Sequence, residues 1–235
     1  MEKKHAIICC SGGLDSVITA HYVKNQLKYS DLIILFFNYG QKSIKQEIKL
    51  SKTCARDLNA KFVEINLKWL SQISNSLINK KGKGKKLTKK DLKDTKKESE
   101  KFYVPCRNTV FLVNALALAE SIFIESKKIN DIFVGFKCEG RESYPDTTQK
   151  FIDAMNNLGK VGCSTKFQIK APLIKKDKED IVKLGKKLGI NFKKTFSCYI
   201  PNKGKHCGDC LACKLRQQGF YWAGIKDPTE YYSKK

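Results

Sequence analysis

Three observations predict an α/β protein with a doubly wound parallel sheet and a C-terminal metal-binding helical segment. Apolar runs and helix-spaced segments alternate through most of the chain, a serine- and glycine-rich hexapeptide follows the first apolar run, and four cysteines cluster near the end. His5–Cys10 is a short apolar run and reads as a buried strand. Asp15–Lys28 has helical spacing. Asp31–Tyr39 is a long run rich in Ile, Leu and Phe, Ser43–Asn59 is helical, and Lys61–Leu67 alternates like a strand. Asn79–Lys101 is rich in Lys and Gly and has no hydrophobic period, so it is expected to be a mobile insertion. Thr109–Lys128 carries Leu, Ala and Val nearly all round and is expected to be a well-buried helix. Asp131–Phe136 follows as a strand, Thr147–Leu158 as a helix, Phe167–Leu173 as a strand and Asp177–Leu188 as a helix with lysines outward. Such alternation gives parallel strands joined by right-handed crossovers, with ligands beyond the carboxyl ends of the strands. An α/β domain over residues 1–190 and a cysteine-rich segment over 191–235 are expected, with no internal repeat.

The 235 residues suffice for one core plus a small appendage, and 41% apolar residues is ordinary for a soluble globular chain. No run approaches the roughly 18 consecutive apolar residues of a membrane helix. Lys3 and Lys4 precede an apolar run, Ala6–Cys10, too short for a signal-peptide core, so a cytoplasmic protein without membrane contact is expected. Of ten cysteines, four (Cys198, Cys207, Cys210, Cys213) lie close together and six are scattered, which suits a metal site in a reducing compartment better than a disulfide framework. The net charge of +23 invites a nucleic-acid partner. Residues 80–101 alone hold 11 Lys against 4 acidic residues, however, and few arginines or aromatics lie among the lysines. A solvated lysine-rich surface is therefore favoured, because base readout uses Arg forks and stacking rings.

Ser11-Gly12-Gly13-Leu14-Asp15-Ser16 lies between the first strand and the first helix. A helix N-terminus offers free N–H groups and a partial positive charge to an anion. Gly12 and Gly13 let the backbone turn and approach that anion closely, and Ser11 and Ser16 add hydroxyl donors. Asp15 can hold Mg²⁺ or cap the helix. The candidate nucleotide contacts are Cys10, Ser11, Gly12, Gly13, Leu14, Asp15 and Ser16, with Asp15 and Ser16 also catalytic candidates. The plain alternative is a strand-to-helix turn capped by Ser or Asp. No Walker A pattern occurs, and Gly82-Lys83-Gly84-Lys85 does not fit its spacing.

Cys207-Gly208-Asp209-Cys210-Leu211-Ala212-Cys213 gives two successive C-x-x-C steps, with Cys198 upstream. Four thiolates suit a closed, tetrahedral, structural Zn²⁺. An iron–sulfur cluster is the sharper rival, His206 in place of Cys207 a lesser one, and free thiols the bland one.

The hexapeptide resembles the mark of the PP-loop ATP pyrophosphatases, S-G-G-x-D-S just after the first strand. Over nearly its full length the chain resembles the 7-cyano-7-deazaguanine synthase family, the nitrile-forming enzymes of queuosine precursor synthesis. The matching pieces stand in family order: Ser11–Ser16; Tyr39-Gly40-Gln41; Val104-Pro105-Cys106-Arg107-Asn108; Tyr144-Pro145-Asp146; Ser197-Cys198-Tyr199; Cys207–Cys213 followed by Arg216; and Asp227-Pro228-Thr229 with Tyr231. The resemblance implies a Rossmann-like, adenine nucleotide alpha hydrolase-like fold. It also implies that Mg·ATP activates the carboxylate of 7-carboxy-7-deazaguanine as an adenylate, that ammonia gives the amide, and that a second ATP gives the nitrile. No glutaminase nucleophile set is apparent, so free ammonia is the expected nitrogen source. A homodimer is implied too, with Phe220-Tyr221-Trp222 and Tyr231-Tyr232 packed on the core or forming its face.

In that frame the Arg107 fork matches a substrate carboxylate or a phosphate. Asn108 suits the cap of a helix from Thr109, and Asp146 either the guanine-like edge of the substrate or the cap of a helix from Thr147. Tyr39 and Gln41 end the second strand, where a nucleotide base or ribose would lie, although Tyr39 is equally suited to core packing. Three departures stand out: Cys106 where the family usually has Gly, Gly135-Phe136-Lys137-Cys138 without the Asn often found near that glycine, and the lysine-rich insertion. Three rivals remain: a PP-loop tRNA-modifying enzyme, a relative that conjugates a deazapurine to a protein or nucleic acid, and a zinc-ribbon nucleic-acid-binding module without catalysis.

Overall fold

Five strands form the sheet: β1 (His5–Cys9), β2 (Asp31–Asn38), β3 (Lys61–Asn66), β4 (Asn130–Val134) and the two-residue β5 (Ile169–Lys170). They pair in the order β3-β2-β1-β4-β5, every pair parallel, in a computed structural model that describes residues 3–82, 86–88, 95–137 and 144–232. The helices are α1 (Leu14–Asn25), α2 (Ile44–Asp57), α3 (Trp69–Ile73), α4 (Lys96–Glu100), α5 (Arg107–Ser126), α6 (Gln149–Gly162), α7 (Lys178–Lys187) and α8 (Leu211–Trp222).

The central strands are apolar on both faces because both faces are covered. Ile7, Leu35, Phe37 and Ile132 join Leu112, Ala115 and Ala119 of α5 in one core. Ala6, Ile8, Ile34 and Phe133 join Val17 and Ile18 of α1, Ala55 of α2 and Ile181 and Val182 of α7 in the other. The strand order reverses at β1, which has β2 on one side and β4 on the other. The connections after β1 and β4 therefore run to opposite faces and leave a crevice at the carboxyl ends of these two strands.

The C-terminal segment contributes to both cores. Cys198, Cys210, Leu211 and Cys213 pack in the first and Phe220 in the second. Tyr221 and Trp222, beside Phe220, are exposed.

Several expectations are corrected. α5 begins at Arg107, so Asn108 lies inside its first turn and Cys106, at φ 52, holds the cap position. The helix is buried on one face only: Val113 and Ile124 are exposed, because nothing covers that side among the described residues. Its length and mean hydropathy of 1.5 would suit a membrane span, but α5 lies against the sheet. The strand expected over 167–173 contracts to Ile169–Lys170, since Pro172 has no N–H to continue the ladder with β4.

The insertion carries order that its composition hides. Leu77 N–H donates to Lys101 O (2.9 Å) across its base, Leu87 is buried, and Ser99 of α4 accepts from the Tyr144 hydroxyl (2.8 Å). Among the described residues of 79–101, Leu87 is the one buried apolar side chain, and one residue makes no period. Residues 83–85, 89–94 and Cys138 lie outside the described part.

Candidate active site

The turn between β1 and α1 is built for close approach. Gly12 has φ +73, and a side chain there would strike the Glu47 carbonyl at 2.8 Å. Gly13 occupies the cap position of α1, which no side chain caps. The plain capped turn is thereby excluded. Ser16 Oγ donates back to Gly13 O (3.1 Å), Ser11 Oγ accepts from Gly13 N–H (3.3 Å), and the Asp15 carboxylate faces Lys178. Gly135, just past β4, is so near that a Cβ would meet Ser16 N at 2.9 Å. Cys10 and Leu14 are buried and pack in the core beneath the turn, and the Cys10 thiol donates to Ser16 Oγ (3.6 Å).

A cavity of about 320 Å³ opens beside this turn, at the switch point of the sheet. Two groups of polar side chains line it. The first is Ser11, Asp15, Ser16, Lys137 and Lys178. Lys178 Nζ donates to both Asp15 oxygens, at 2.9 and 2.7 Å. Burial, helped by the neighbouring Lys178, pulls the Lys137 ammonium down to about 7, against the attraction of Asp15.

The second group is Tyr39, Glu47, Arg107, Tyr144 and Tyr199. The Arg107 guanidinium lies 5.6 Å from the Tyr39 ring centre and 5.9 Å from that of Phe111, and its Nε donates to Asn108 Oδ1 (3.2 Å). Burial works against its charge, but Tyr39, Tyr199 and Asp146 outweigh burial and hold its pKa above the ordinary range. Burial pushes the Tyr39 hydroxyl up to about 12. It also raises the Glu47 carboxyl, although Ser43 and Gln41 donate to that group.

Of the expected residues, Cys10, Ser11, Gly13, Leu14, Asp15, Ser16, Tyr39 and Arg107 come together on this cavity, and Gly12 does not line it. Gln41 does not line it. Its side chain accepts from Tyr39 N–H (2.9 Å) and donates to Phe37 O (3.1 Å) and Glu47 Oε2 (2.9 Å), so it shapes the end of β2 and holds Glu47. Asp146 lies behind the wall, where its carboxylate accepts from Asn108 N–H (3.4 Å) and its carbonyl from Asn108 Nδ2 (3.1 Å). The helix after it is capped by Thr148, whose Oγ1 accepts from Phe151 N–H (3.1 Å). Lys137, Lys178 and Glu47 carried no sequence signal beyond ordinary surface charge.

The thiols of Cys198, Cys207, Cys210 and Cys213 converge, with every pair of Sγ atoms within 4.8 Å. Two of those separations are 3.9 Å, close to the about 3.8 Å edge of a tetrahedron with metal–sulfur bonds of about 2.3 Å. The N–H groups of Asp209 and Cys210 point at Cys207 Sγ, and that of Cys207 at Cys198 Sγ, as thiolate ligands require. His206 is not a competitor, because its Nε2 accepts from Ser197 N–H (3.0 Å). The four cysteines fit a closed metal site.

A glycine turn that no side chain caps, at the switch point of a parallel sheet with Lys137 and Lys178 beside it, is suited to holding an anion such as a phosphate. Residues 5–224 match the family described as queuosine biosynthesis protein QueC, and the chain belongs to that family. It is 39% identical over 232 residues to a 7-cyano-7-deazaguanine synthase of Methanosphaera stadtmanae, covering 97% of this chain and 99% of that one. Synthases of the same description from Methanobrevibacter smithii and Nitratiruptor sp. are each 37% identical, covering 98% and 97% of this chain and 99% of their own. Among solved structures, a U34-tRNA thiolase from Methanococcus maripaludis with a [4Fe-4S] cluster covers 92% of this chain and 64% of its own, at 16% identity and a TM-score of 0.43. Likeness at that level carries no functional weight.

Proposed function

We propose that this protein converts 7-carboxy-7-deazaguanine and ammonia to 7-cyano-7-deazaguanine, using ATP and passing through an adenylate and an amide, in queuosine biosynthesis. The observation that carries the reading is that the Ser11–Ser16 turn and Arg107 line one cavity in a chain that matches synthases along nearly its whole length.

The free amides of α1 and the hydroxyls of Ser11 and Ser16 would hold the ATP phosphates, with Lys178 and Lys137 meeting charge that develops on pyrophosphate. Asp15 keeps acceptor capacity beside Lys178 and would hold the Mg²⁺ delivered with ATP. Arg107 would pair with the substrate carboxylate. The faces of Tyr39 and Phe111 would give the heterocycle a stacking surface.

A carboxylate is a poor electrophile until one oxygen becomes a leaving group. Its oxygen attacks the α-phosphorus and pyrophosphate departs. Ammonia then adds at the acyl carbon and AMP departs, leaving the amide. The amide oxygen attacks a second ATP in the same way, after which the nitrogen loses its protons and AMP leaves with the oxygen. Cavity walls from Phe37, Phe111, Phe136 and Phe196 would keep water from the activated acyl group.

The four cysteines would hold Zn²⁺ as a structural ion, since no ligand position remains open. A homodimer is part of the reading. The test is incubation with 7-carboxy-7-deazaguanine, ammonium and Mg·ATP, followed by mass spectrometry. The nitrile is expected, and its loss in Asp15→Ala. ATP turnover that requires added tRNA or protein would overturn the substrate assignment.

A further inference from the structure

We infer that Arg216 is a positioning residue for the phosphate loop, acting from inside α8 through the segment Thr195–Ser197. The inference rests on ATP binding at Ser11–Ser16, as proposed above.

Arg216 is 1% exposed and lies three residues after the metal ligand Cys213, on the same face of α8. A buried guanidinium is tolerated only when its donors are spent. Here Nε donates to Asp227 Oδ1 (3.4 Å), Nη1 to Thr195 Oγ1 (2.8 Å) and Ser197 Oγ (3.2 Å), and Nη2 to Phe192 O (3.2 Å). Asp227 is itself fixed from the C-terminal tail by the Tyr231 hydroxyl (2.5 Å) and Thr229 N–H (3.1 Å). One planar fork thus ties three stretches of chain together, which a point charge such as Lys cannot do.

What the fork holds matters more than the fork. Between Thr195 and Ser197, the Phe196 N–H donates to the Gly12 carbonyl at 2.9 Å. Gly12 is the left-handed residue of the phosphate loop, whose conformation orients the amides that follow. Ser197 and Phe196 also line the cavity. The segment is pinned from behind by Arg216, by His206 and by Cys198, and in front it grips the loop.

A second route starts on the same helix. Gly219 lies one turn beyond Arg216, and a Cβ there would meet Lys178 Cγ at 2.2 Å and Lys178 O at 3.2 Å. Lys178 is the partner of Asp15. α8 therefore braces the phosphate loop twice: through Arg216, Thr195–Ser197 and Gly12, and through Gly219, Lys178 and Asp15. Neither residue touches the nucleotide site itself.

The experiment compares the unaltered protein with Arg216→Lys and Gly219→Ala for binding of the non-hydrolysable α,β-methylene analogue of ATP, by calorimetry, and for kcat and KM. Zinc content and near-ultraviolet circular dichroism establish that each variant is folded. Both variants are expected to bind the analogue about tenfold or more weakly, because sub-ångström displacement of a loop that must match phosphate geometry costs that much. KM for ATP should rise accordingly, and KM for the heterocycle should change little. A merely structural role would lower the melting temperature or zinc content while the folded fraction binds the analogue as before, and that result overturns the inference. If Arg216→Lys does not fold, Asp227→Asn takes its place, keeping the shape and weakening the hold on the fork. Failure of the unaltered protein to bind the analogue overturns the functional reading, and the inference with it.

Discussion

Under the proposed ATP reading, Lys137 and Lys178 would meet the phosphates in different ways. Lys178 is spent on Asp15. Lys137 is held near 7 by burial and by Lys178, with Asp15 and Asp177 opposing. Below pH 7 its ammonium is present before ligand arrives. Above pH 7 it is neutral in the free protein, and a bound phosphate restores the charge by raising its pKa, so binding takes up a proton. Affinity for ATP should then fall as pH rises from about 7 to about 9, by up to about tenfold per pH unit if one proton is involved. Titration calorimetry of the ATP analogue in two buffers of different ionisation enthalpy should show proton uptake at about pH 8 and little at about pH 6. In Lys137→Met the uptake should vanish, and equal uptake in that variant would refute the assignment. Neither lysine was legible beforehand, because 46 Lys and Arg residues dilute any single one. The loop was legible because its glycines and serines have few other reasons to stand together in a strand-to-helix turn. A motif position does not say which way a side chain turns: Gln41 and Asp146 do not line the cavity and spend hydrogen bonds on neighbouring residues.

At the scale of elements, periodicity located the strands and helices well, and the errors fall where one residue's backbone decides. Residue type favours Asn108 as a cap, but the chain enters α5 through a left-handed residue, Cys106 at φ 52. That conformation explains why glycine suits the position, since an L side chain there costs about 1 kcal/mol. Cys106→Gly is accordingly expected to stabilise the protein by up to about 1 kcal/mol, the gain being reduced by the greater freedom of glycine in the unfolded chain. Urea denaturation should show a raised midpoint with an unchanged slope for Cys106→Gly, and no rise for Cys106→Ala, which keeps the Cβ. A lower midpoint for the glycine variant would mean that the exposed thiol contributes more than its backbone costs. Because Arg107 follows directly, the comparison also shows whether the sharp entry into α5 sets the guanidinium: catalytic constants should hold in both variants.

For the whole molecule the question is whether residues 191–235 are an appendage or a wall. Composition suggested an appendage, since the cysteines cluster and the α/β pattern stops. The packing argues otherwise. The cysteines of the candidate metal site pack in the core beneath α5, Phe220 belongs to the core beneath α7, and the Phe196 N–H donates to Gly12 in the turn after β1. An appendage with its own stability would melt separately when its metal is removed. A wall shared with both cores cannot, because each element would expose the other's apolar surface. Metal binding to the folded state alone adds its free energy to the whole cooperative unit. Removal of metal by a chelator should therefore shift one calorimetric transition to lower temperature, keep it single, and weaken protection by the ATP analogue. A metal-dependent low-temperature transition followed by an unchanged, nucleotide-protected one would show instead that the cysteine segment is a separate domain and that the phosphate loop stands without it.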